Sequence, residues 1–138
     1  MNGEHFRTYR KKLDKTQKQM AQILGVSIKA VHSYEQGWRS IPVHVERQLY
    51  FLLSRKSGAT PAPLPCWNQR ECPENQRSRC PAWEFVSGDS CWFINGTVCG
   101  GVAHRSWDEK MAMCRNCEVF EAMLGKIDAI PCDRKTCR

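Results

Sequence analysis

The sequence has no long apolar run, and its first 65 residues contain no cysteine. Of its 138 residues 41% are hydrophobic and 25% are charged, and no stretch approaches the roughly 18 apolar residues that a membrane-spanning helix needs. The opening residues, MNGEHFRTYRKK, have neither the apolar centre nor the cleavage site of an export signal. These absences argue against a membrane protein and a disordered charged tail, so we expect a folded cytoplasmic protein.

Charge, cysteine and aliphatic residues are divided unevenly along the chain. Residues 1–58 contain 11 Lys and Arg against 4 Asp and Glu, whereas residues 59–138 contain 10 of each group. All nine cysteines follow residue 65, and residues 66–138 contain 8 Leu, Ile and Val against 12 in residues 1–58. The proline-rich segment 56–65 indicates a linker. We therefore expect two domains, at 1–55 and 66–138.

The first domain is predicted to consist of four short helices. An amphipathic basic stretch covers about residues 4–13. Thr16 and Gln19 have the spacing of a capping box, and Gly25 can end the helix that follows. Ser27 can cap the next helix, and Pro42 suits the first position of the last one. Two short helices joined by a turn at Gly25 predict a helix-turn-helix.

The segment TQKQMAQILGVSIKAVHSYEQGWRSIP resembles the Cro/repressor-type (XRE-like) family of DNA-binding domains. The resemblance covers about residues 4–53 and rests on Gln17, Ala21, Gly25 and the run Tyr34-Glu-Gln-Gly37. It implies a transcription regulator that binds double-stranded DNA with residues 27–36 in the major groove. Family members often carry a further helix that helps them dimerise. Here the linker follows first, so the sequence leaves a homodimer open.

Helical spacing indicates which side chains would reach the DNA, because Val31 and Tyr34 turn inward. Lys29 suits guanine acceptors and Ile28 a thymine methyl, while phosphate contacts position the protein without reading sequence. Charged helix faces are commonly only solvated, but the charge excess of the first 58 residues favours nucleic acid. The predicted DNA-contacting residues are Gln17, Lys18, Ser27, Ile28, Lys29, His32, Ser33, Gln36 and Arg39.

The second domain has too few aliphatic residues to build a large core. In the reducing compartment expected for a DNA-binding protein, a cysteine framework more often binds metal or performs redox chemistry than forms disulfides. Ligation of a metal would also contribute folding free energy. All nine cysteines of this domain are available for such ligation.

The spacing of these cysteines leaves the kind of metal open. Only Cys114 and Cys117 form the short knuckle of a zinc site, and the others occur singly. Single ligands on an aromatic, loop-rich chain suit an iron–sulfur cluster of the [4Fe-4S] type, which takes four thiolates. Structural zinc in a partner-binding module is the main alternative, and disulfides or apolar packing of thiols is a third. We expect Cys132 and Cys137 to be free or loosely paired.

The cysteine pattern also resembles the two-CW cysteine-rich domain over about residues 65–121. Cys66-Trp67 recurs as Cys91-Trp92, with Cys80-Pro-Ala between them and Cys99-Gly-Gly and Cys114-x2-Cys117 after them. The resemblance implies a metallocluster or a redox-sensing role. The seven cysteines that it covers are the candidate metal ligands: Cys66, Cys72, Cys80, Cys91, Cys99, Cys114 and Cys117. The chain shows no Ser-His-Asp arrangement, phosphate-cradling loop or HExxH pattern, so we do not expect an enzyme.

Taken together, these patterns predict a mainly α protein. Its N-terminal four-helix helix-turn-helix domain would be joined to a small, loop-rich, cysteine-rich domain stapled by metal. The predicted function is sequence-specific DNA binding in transcription regulation, with an iron–sulfur cluster that senses redox state.

Overall fold

The structure is a computed structural model that describes residues 1–56 and 65–130. These residues are mainly helical and include no β-strand, which confirms the predicted fold class. Within them the chain forms two compact units, one of residues 1–56 with 127–130 and one of residues 65–126. Cys132, Cys137 and most of the predicted linker 56–65 lie outside the described residues. The predicted domain limits therefore stay predictions.

The first unit contains the four helices that the sequence predicts: α1 (Gly3–Lys12), α2 (Gln17–Leu24), α3 (Ile28–Gln36) and α4 (Val43–Lys56). The capping box at the start of α2 is complete. Thr16 Oγ1 accepts from the Gln19 backbone N–H at 3.1 Å, and Gln19 Oε1 accepts from the Thr16 N–H at 3.0 Å. Gly25 ends α2 with φ of 68°, a left-handed conformation that residues with a Cβ rarely adopt. The turn between α2 and α3 therefore depends on glycine.

The core of the first unit is aliphatic and aromatic, as its composition predicts. The rings of Phe6 in α1 and Tyr34 in α3 meet edge to face with centroids 5.7 Å apart. Each fully buried side chain of this size contributes about 1.5–3 kcal/mol. The buried apolar residues of α1 to α4 and the loop after α1 are Phe6, Leu13, Met20, Ala21, Leu24, Ala30, Val31, Tyr34, Val45, Leu49, Tyr50 and Leu53.

A buried carboxylate connects three of these helices. The Glu35 side chain, which is 3% exposed, forms an ion pair with Arg10 of α1 through Arg10 Nε. Gln17 of α2 donates a hydrogen bond from Nε2 to Glu35 Oε2 at 2.9 Å. Arg10 also donates from Nη1 to the Lys15 carbonyl oxygen at 2.8 Å, which ties α1 to the loop before α2. Glu35 therefore holds α1 and α2 against the end of α3.

The second unit consists of short helices and loops. Its helices are α5 (Cys66–Gln69), α6 (Glu74–Arg77), α7 (Pro81–Glu84), α8 (Trp107–Cys114) and α9 (Glu118–Asp128), with 3₁₀ turns at Cys91–Phe93 and Cys99–Gly101. The last residues of α9, from Ile127, belong to the first unit. Trp92 is buried in the second unit, with ring centroids 6.1 Å from Phe120 and 5.7 Å from Phe93. Aromatic rings thus replace the missing aliphatic core.

A close backbone approach positions the first cysteine of this unit. The Cys66 backbone N–H donates to the Gly88 carbonyl oxygen at 3.0 Å. A Cβ on Gly88 would lie 2.6 Å from Pro65 Cβ and 2.8 Å from the Trp67 ring, so only glycine fits there. This contact holds the start of α5 beside the loop that leads to Cys91.

We predict that Glu35→Ala lowers the free energy of unfolding of the first unit by about 3 kcal/mol, because it leaves the Arg10 charge buried without its partner. Glu4→Ala is the matched control. Glu4 is an exposed acid in the first turn of α1, so its loss should change stability by less than about 1 kcal/mol. Urea denaturation of the full chain measures both values. Equal losses of stability in the two variants would contradict the conclusion that Glu35 holds α1 and α2 against α3.

Candidate functional site

One side of α3 is buried and the other faces solvent. Ala30, Val31 and Tyr34 are buried against the first unit. The five residues predicted to share the outer face lie on the opposite side, where Ser33 is half-buried and the other four are exposed: Ile28, Lys29, His32, Ser33 and Gln36. The structure thus presents them together on one helix face, and contact with DNA remains a prediction for each of them.

The other predicted contacts occupy different environments. Lys18 and Arg39 are exposed, as a phosphate contact requires. Ser27 is exposed and uses its Oγ to accept from the Ala30 backbone N–H at 3.0 Å, so it caps α3. Gln17 is half-buried, and its Nε2 is bonded to Glu35. A DNA contact by the Gln17 side chain would therefore use its oxygen or the second hydrogen of Nε2.

Trp38 was not among the predicted contacts, yet it adjoins the exposed face of α3. Its side chain is 73% exposed, and its ring meets the His32 ring edge to face with centroids 5.4 Å apart. Gly37, with φ of 76°, turns the chain away from the helix immediately before Trp38. A tryptophan directly after a helix-ending glycine was the signal available in the sequence.

In the second unit all seven predicted metal ligands line a single cavity of about 210 Å³. They come from α5, α8, both 3₁₀ turns and the loops between them, so widely separated cysteines meet at one place. The wall also contains the rings of Trp67, Trp83, Trp92 and Phe120, and the side chains of Arg70 and Arg77. None of the described residues that line it is Asp or Glu. The cavity therefore offers sulfur and cationic groups in an aromatic wall.

Several of these sulfurs take part in hydrogen bonds. Arg70 Nη1 donates to Cys117 Sγ at 3.1 Å, and the Val98 backbone N–H donates to Cys80 Sγ at 3.5 Å. Bonds of this kind stabilise a thiolate and tune a metal bound to it. Cys72 differs because its thiol donates to the Pro73 carbonyl oxygen at 3.8 Å. The sulfurs of one cavity are thus not equivalent.

The surroundings of the thiols shift their pKa values in opposite directions. A hydrogen bond from the Cys91 thiol lowers the pKa of Cys66, and the same bond together with burial raises the pKa of Cys91. Burial raises the pKa of Cys72 and Cys99, and it raises the pKa of Cys114 to about 11. Most of these thiols are therefore neutral at pH 7 unless a cation compensates the charge of the thiolate.

The chemistry of the donor set fits a thiolate-bound metal group. Soft sulfur ligands select zinc, copper(I) and iron–sulfur clusters, whereas the oxygen ligands preferred by magnesium and calcium are missing from the described lining. The fit concerns the kind of donor atom and not a formed ligand set, because within residues 1–56 and 65–130 no three His, Cys, Asp or Glu side chains converge closely enough to hold a single metal ion.

Comparison with known families gave one match. Residues 6–43 match the family described as Helix-turn-helix, a range that begins within α1, includes α2 and α3 and ends at the first residue of α4. This match supports the DNA-binding transcription regulator that the sequence predicts. It does not extend to the cysteine-rich half, so the resemblance to the two-CW domain stays a prediction. Comparisons with curated proteins and with solved structures gave no match.

None of the described helices is long and apolar enough to span a bilayer.

We predict that Lys29→Ala and Lys18→Ala weaken DNA binding in different ways. Loss of a base contact at Lys29 should cost about 1–3 kcal/mol on the preferred sequence and relax specificity at one position. Loss of a phosphate contact at Lys18 should weaken binding to all sequences alike and lower the salt slope by about 1. Titrations of preferred and scrambled duplexes at several salt concentrations separate the two effects. Identical behaviour of the variants would contradict the assignment of α3 as the reading helix.

We also predict that Cys66 and Cys114 differ in the pH profile of alkylation in metal-free protein. Only the thiolate reacts, and with a pKa of about 11 roughly one Cys114 in a thousand is a thiolate at pH 8. The Cys114 rate should therefore rise about tenfold per pH unit from pH 7 to 9. The Cys66 rate should level off at lower pH, because its pKa is lowered. Iodoacetamide labelling with peptide mass spectrometry measures both, and coinciding profiles would contradict the structure of this cavity.

Proposed function

We propose that the chain is a sequence-specific DNA-binding transcription regulator whose cysteine-rich unit binds an iron–sulfur cluster, of the [4Fe-4S] type, and senses redox state. The main observation in support of the cluster is that seven cysteines line one cavity. None of the described residues that line this cavity has a carboxylate. A cluster of this type takes four thiolates. Seven cysteines supply that number from one cavity and leave three thiols over.

The chain's own residues would perform the binding and the shielding. The cysteine sulfurs would hold the cluster, and the rings of Trp67, Trp92 and Phe120 would limit access of water to it. When bound, a cluster supplies one-electron redox chemistry and ligation free energy, at a potential that depends on solvent exposure and on hydrogen bonds to its sulfurs. The Arg70 and Val98 donors to Cys117 and Cys80 are such hydrogen bonds.

Regulation would follow from the dependence of the second unit on its ligand. Its described helices are mostly of four residues, too short to be stable alone, so their arrangement relies on what the cysteines bind. We propose that the unit has one arrangement with the cluster and another without it. In a homodimer such a change would alter the spacing of two α3 helices, which must match half-sites about 34 Å apart.

A zinc-bound, partner-binding module is the second candidate, and an exposed apolar segment favours it. Three apolar side chains on and just after α7 are exposed: Trp83, Phe85 and Val86. Val86 is the most exposed of them, at 78%. Val86 also has φ of 51°, which is strained for a β-branched residue. Apolar exposure and backbone strain are both common at interaction sites. In this candidate DNA binding would be constitutive.

Anaerobic purification of the full chain distinguishes the two candidates. Iron and sulfide in about equal amounts, with a broad visible absorption band, are expected for the cluster. Colourless protein with one or two zinc ions per chain would favour the second candidate.

The sensing role is tested by DNA affinity with the cluster intact and with the cluster removed. The duplex would be selected by the protein from a random pool, and salt would be held constant. We expect affinity to change about 5- to 150-fold, the usual range for coupled sites. Lys29→Ala protein is the control for specific binding. Equal affinities of the two forms would reject redox sensing and leave DNA binding in place.

A further inference from the structure

The second unit contains a buried lysine that the proposed ligand set does not use. Lys110 lies on α8 and is 2% exposed. Its Nζ donates a hydrogen bond to Oγ1 of Thr97, which is 0% exposed. Both residues are thus removed from water, which is rare for a lysine unless its charge is compensated.

No carboxylate of the described residues forms an ion pair with this ammonium group. The neighbouring acids of α8, Asp108 and Glu109, are exposed, and Glu109 instead accepts from the Arg105 backbone N–H at 3.2 Å and pairs with His104. Burial of an unpaired ion costs several kcal/mol. A neutral hydroxyl group carries no net charge, so it offsets only part of this penalty. A further source of negative charge near Lys110 would compensate the remainder of this penalty.

The thiols of the cavity are the groups that can supply this charge. Thr97 Oγ1, which accepts from Lys110, also accepts from Cys99 Sγ at 3.8 Å, so a hydrogen-bonded chain runs from Lys110 to a sulfur of the cavity wall. Since Thr97 keeps its own proton, it can donate that proton to Cys99 when Cys99 is a thiolate. Lys110 and Cys114 are also four residues apart on α8 and both are buried, so they share one helix face.

The charge of Lys110 acts on three of the thiols. These are Cys91, Cys99 and Cys114, each of which interacts electrostatically with the Lys110 ammonium. All three sulfurs line the cavity from the side of α8 and the 3₁₀ turns.

We propose that Lys110, held in place by Thr97, is the fixed counter-charge for an anionic, thiolate-ligated metal group in this cavity. This inference rests on the proposed function only in requiring that the cavity binds such a group. Lys110 is a positioning residue here, because it acts through Thr97 and through its charge and not as a ligand. Four thiolates around zinc or around an oxidised [4Fe-4S] core both leave a net negative charge, so the role is the same for either metal.

The test uses Co²⁺ binding to metal-free, full-length protein under anaerobic conditions. The intensity of the thiolate-to-cobalt absorption bands reports ligation by sulfur, and competition with a chelator gives the affinity. Lys110→Met should weaken binding about 10- to 100-fold, the usual effect of losing an outer-shell partner of a metal ligand. Lys110→Arg keeps the charge and should restore most of the affinity. Lys126→Met, the same change elsewhere in this unit, is the control and should bind as the wild type does.

Thr97→Val is the second variant, and it carries the test if Lys110→Met does not fold. It keeps the shape of the side chain and removes only the hydroxyl link, so it should weaken Co²⁺ binding by a smaller factor than Lys110→Met. Far-UV circular dichroism and the melting temperature of each metal-free variant report folding separately from binding. Wild-type affinity in folded Lys110→Met, or in Thr97→Val when the former does not fold, would overturn the inference.

Protein reconstituted with iron and sulfide offers a readout that a purely structural role would not change. The reduced group carries more negative charge, which the Lys110 ammonium favours, so Lys110→Met should shift the midpoint potential to a more negative value while Lys126→Met should not. An unchanged potential would overturn the inference.

Wild-type protein that shows neither thiolate-to-cobalt bands nor incorporation of iron and sulfide would overturn this inference and the proposed cluster together. Normal Co²⁺ affinities in all variants would overturn only the inference. Weaker binding in Lys110→Met, with DNA affinity independent of the metal, would support the inference and reject redox sensing.

Discussion

Burial of charge organises both units of this chain. Glu35 and Lys110 are almost completely removed from water, and each would destabilise the fold by several kcal/mol without compensation. Glu35 is compensated within its own unit by Arg10 and Gln17. Lys110 donates to a hydroxyl group only, among the described residues. We propose that the second unit therefore depends on the ionisation of its thiols, and hence on the group that they bind.

In the first unit, helix caps, a glycine turn and buried side chains fix the position of α3 and leave one of its faces exposed. Caps at Thr16 and Ser27 and a left-handed turn at Gly25 set the ends of α2 and α3, and the buried side chains leave one face of α3 to the solvent. Because the Glu35 contacts hold that helix against α1 and α2, the exposed face has little freedom to move. Trp38 extends this face with an exposed aromatic ring in contact with His32.

The second unit has the opposite character. Its helices are short and its aliphatic residues are few, so aromatic rings and thiols make up most of the wall of its cavity. Under the proposed function such a unit would gain much of its stability from ligation, which would link the state of the ligand to the arrangement of the loops. Dependence on a bound ligand is compatible with both proposed functions. A redox-sensitive ligand would make the unit a sensor, whereas a ligand that stays bound would make it a binding site for a partner protein.

The sequence by itself determined the helices of the first unit, because caps, helix-ending glycines and apolar periodicity act within a few residues of one another. Its small aliphatic core also indicated that the second unit needs a staple, and the resemblance to the two-CW domain grouped seven of its cysteines. Only the tertiary structure showed that Glu35 pairs with Arg10, 25 residues away, and that Lys110 is linked through Thr97 to Cys99. Single cysteines and lone charges along loops have no periodicity, and their partners are decided by chain folding over long separations.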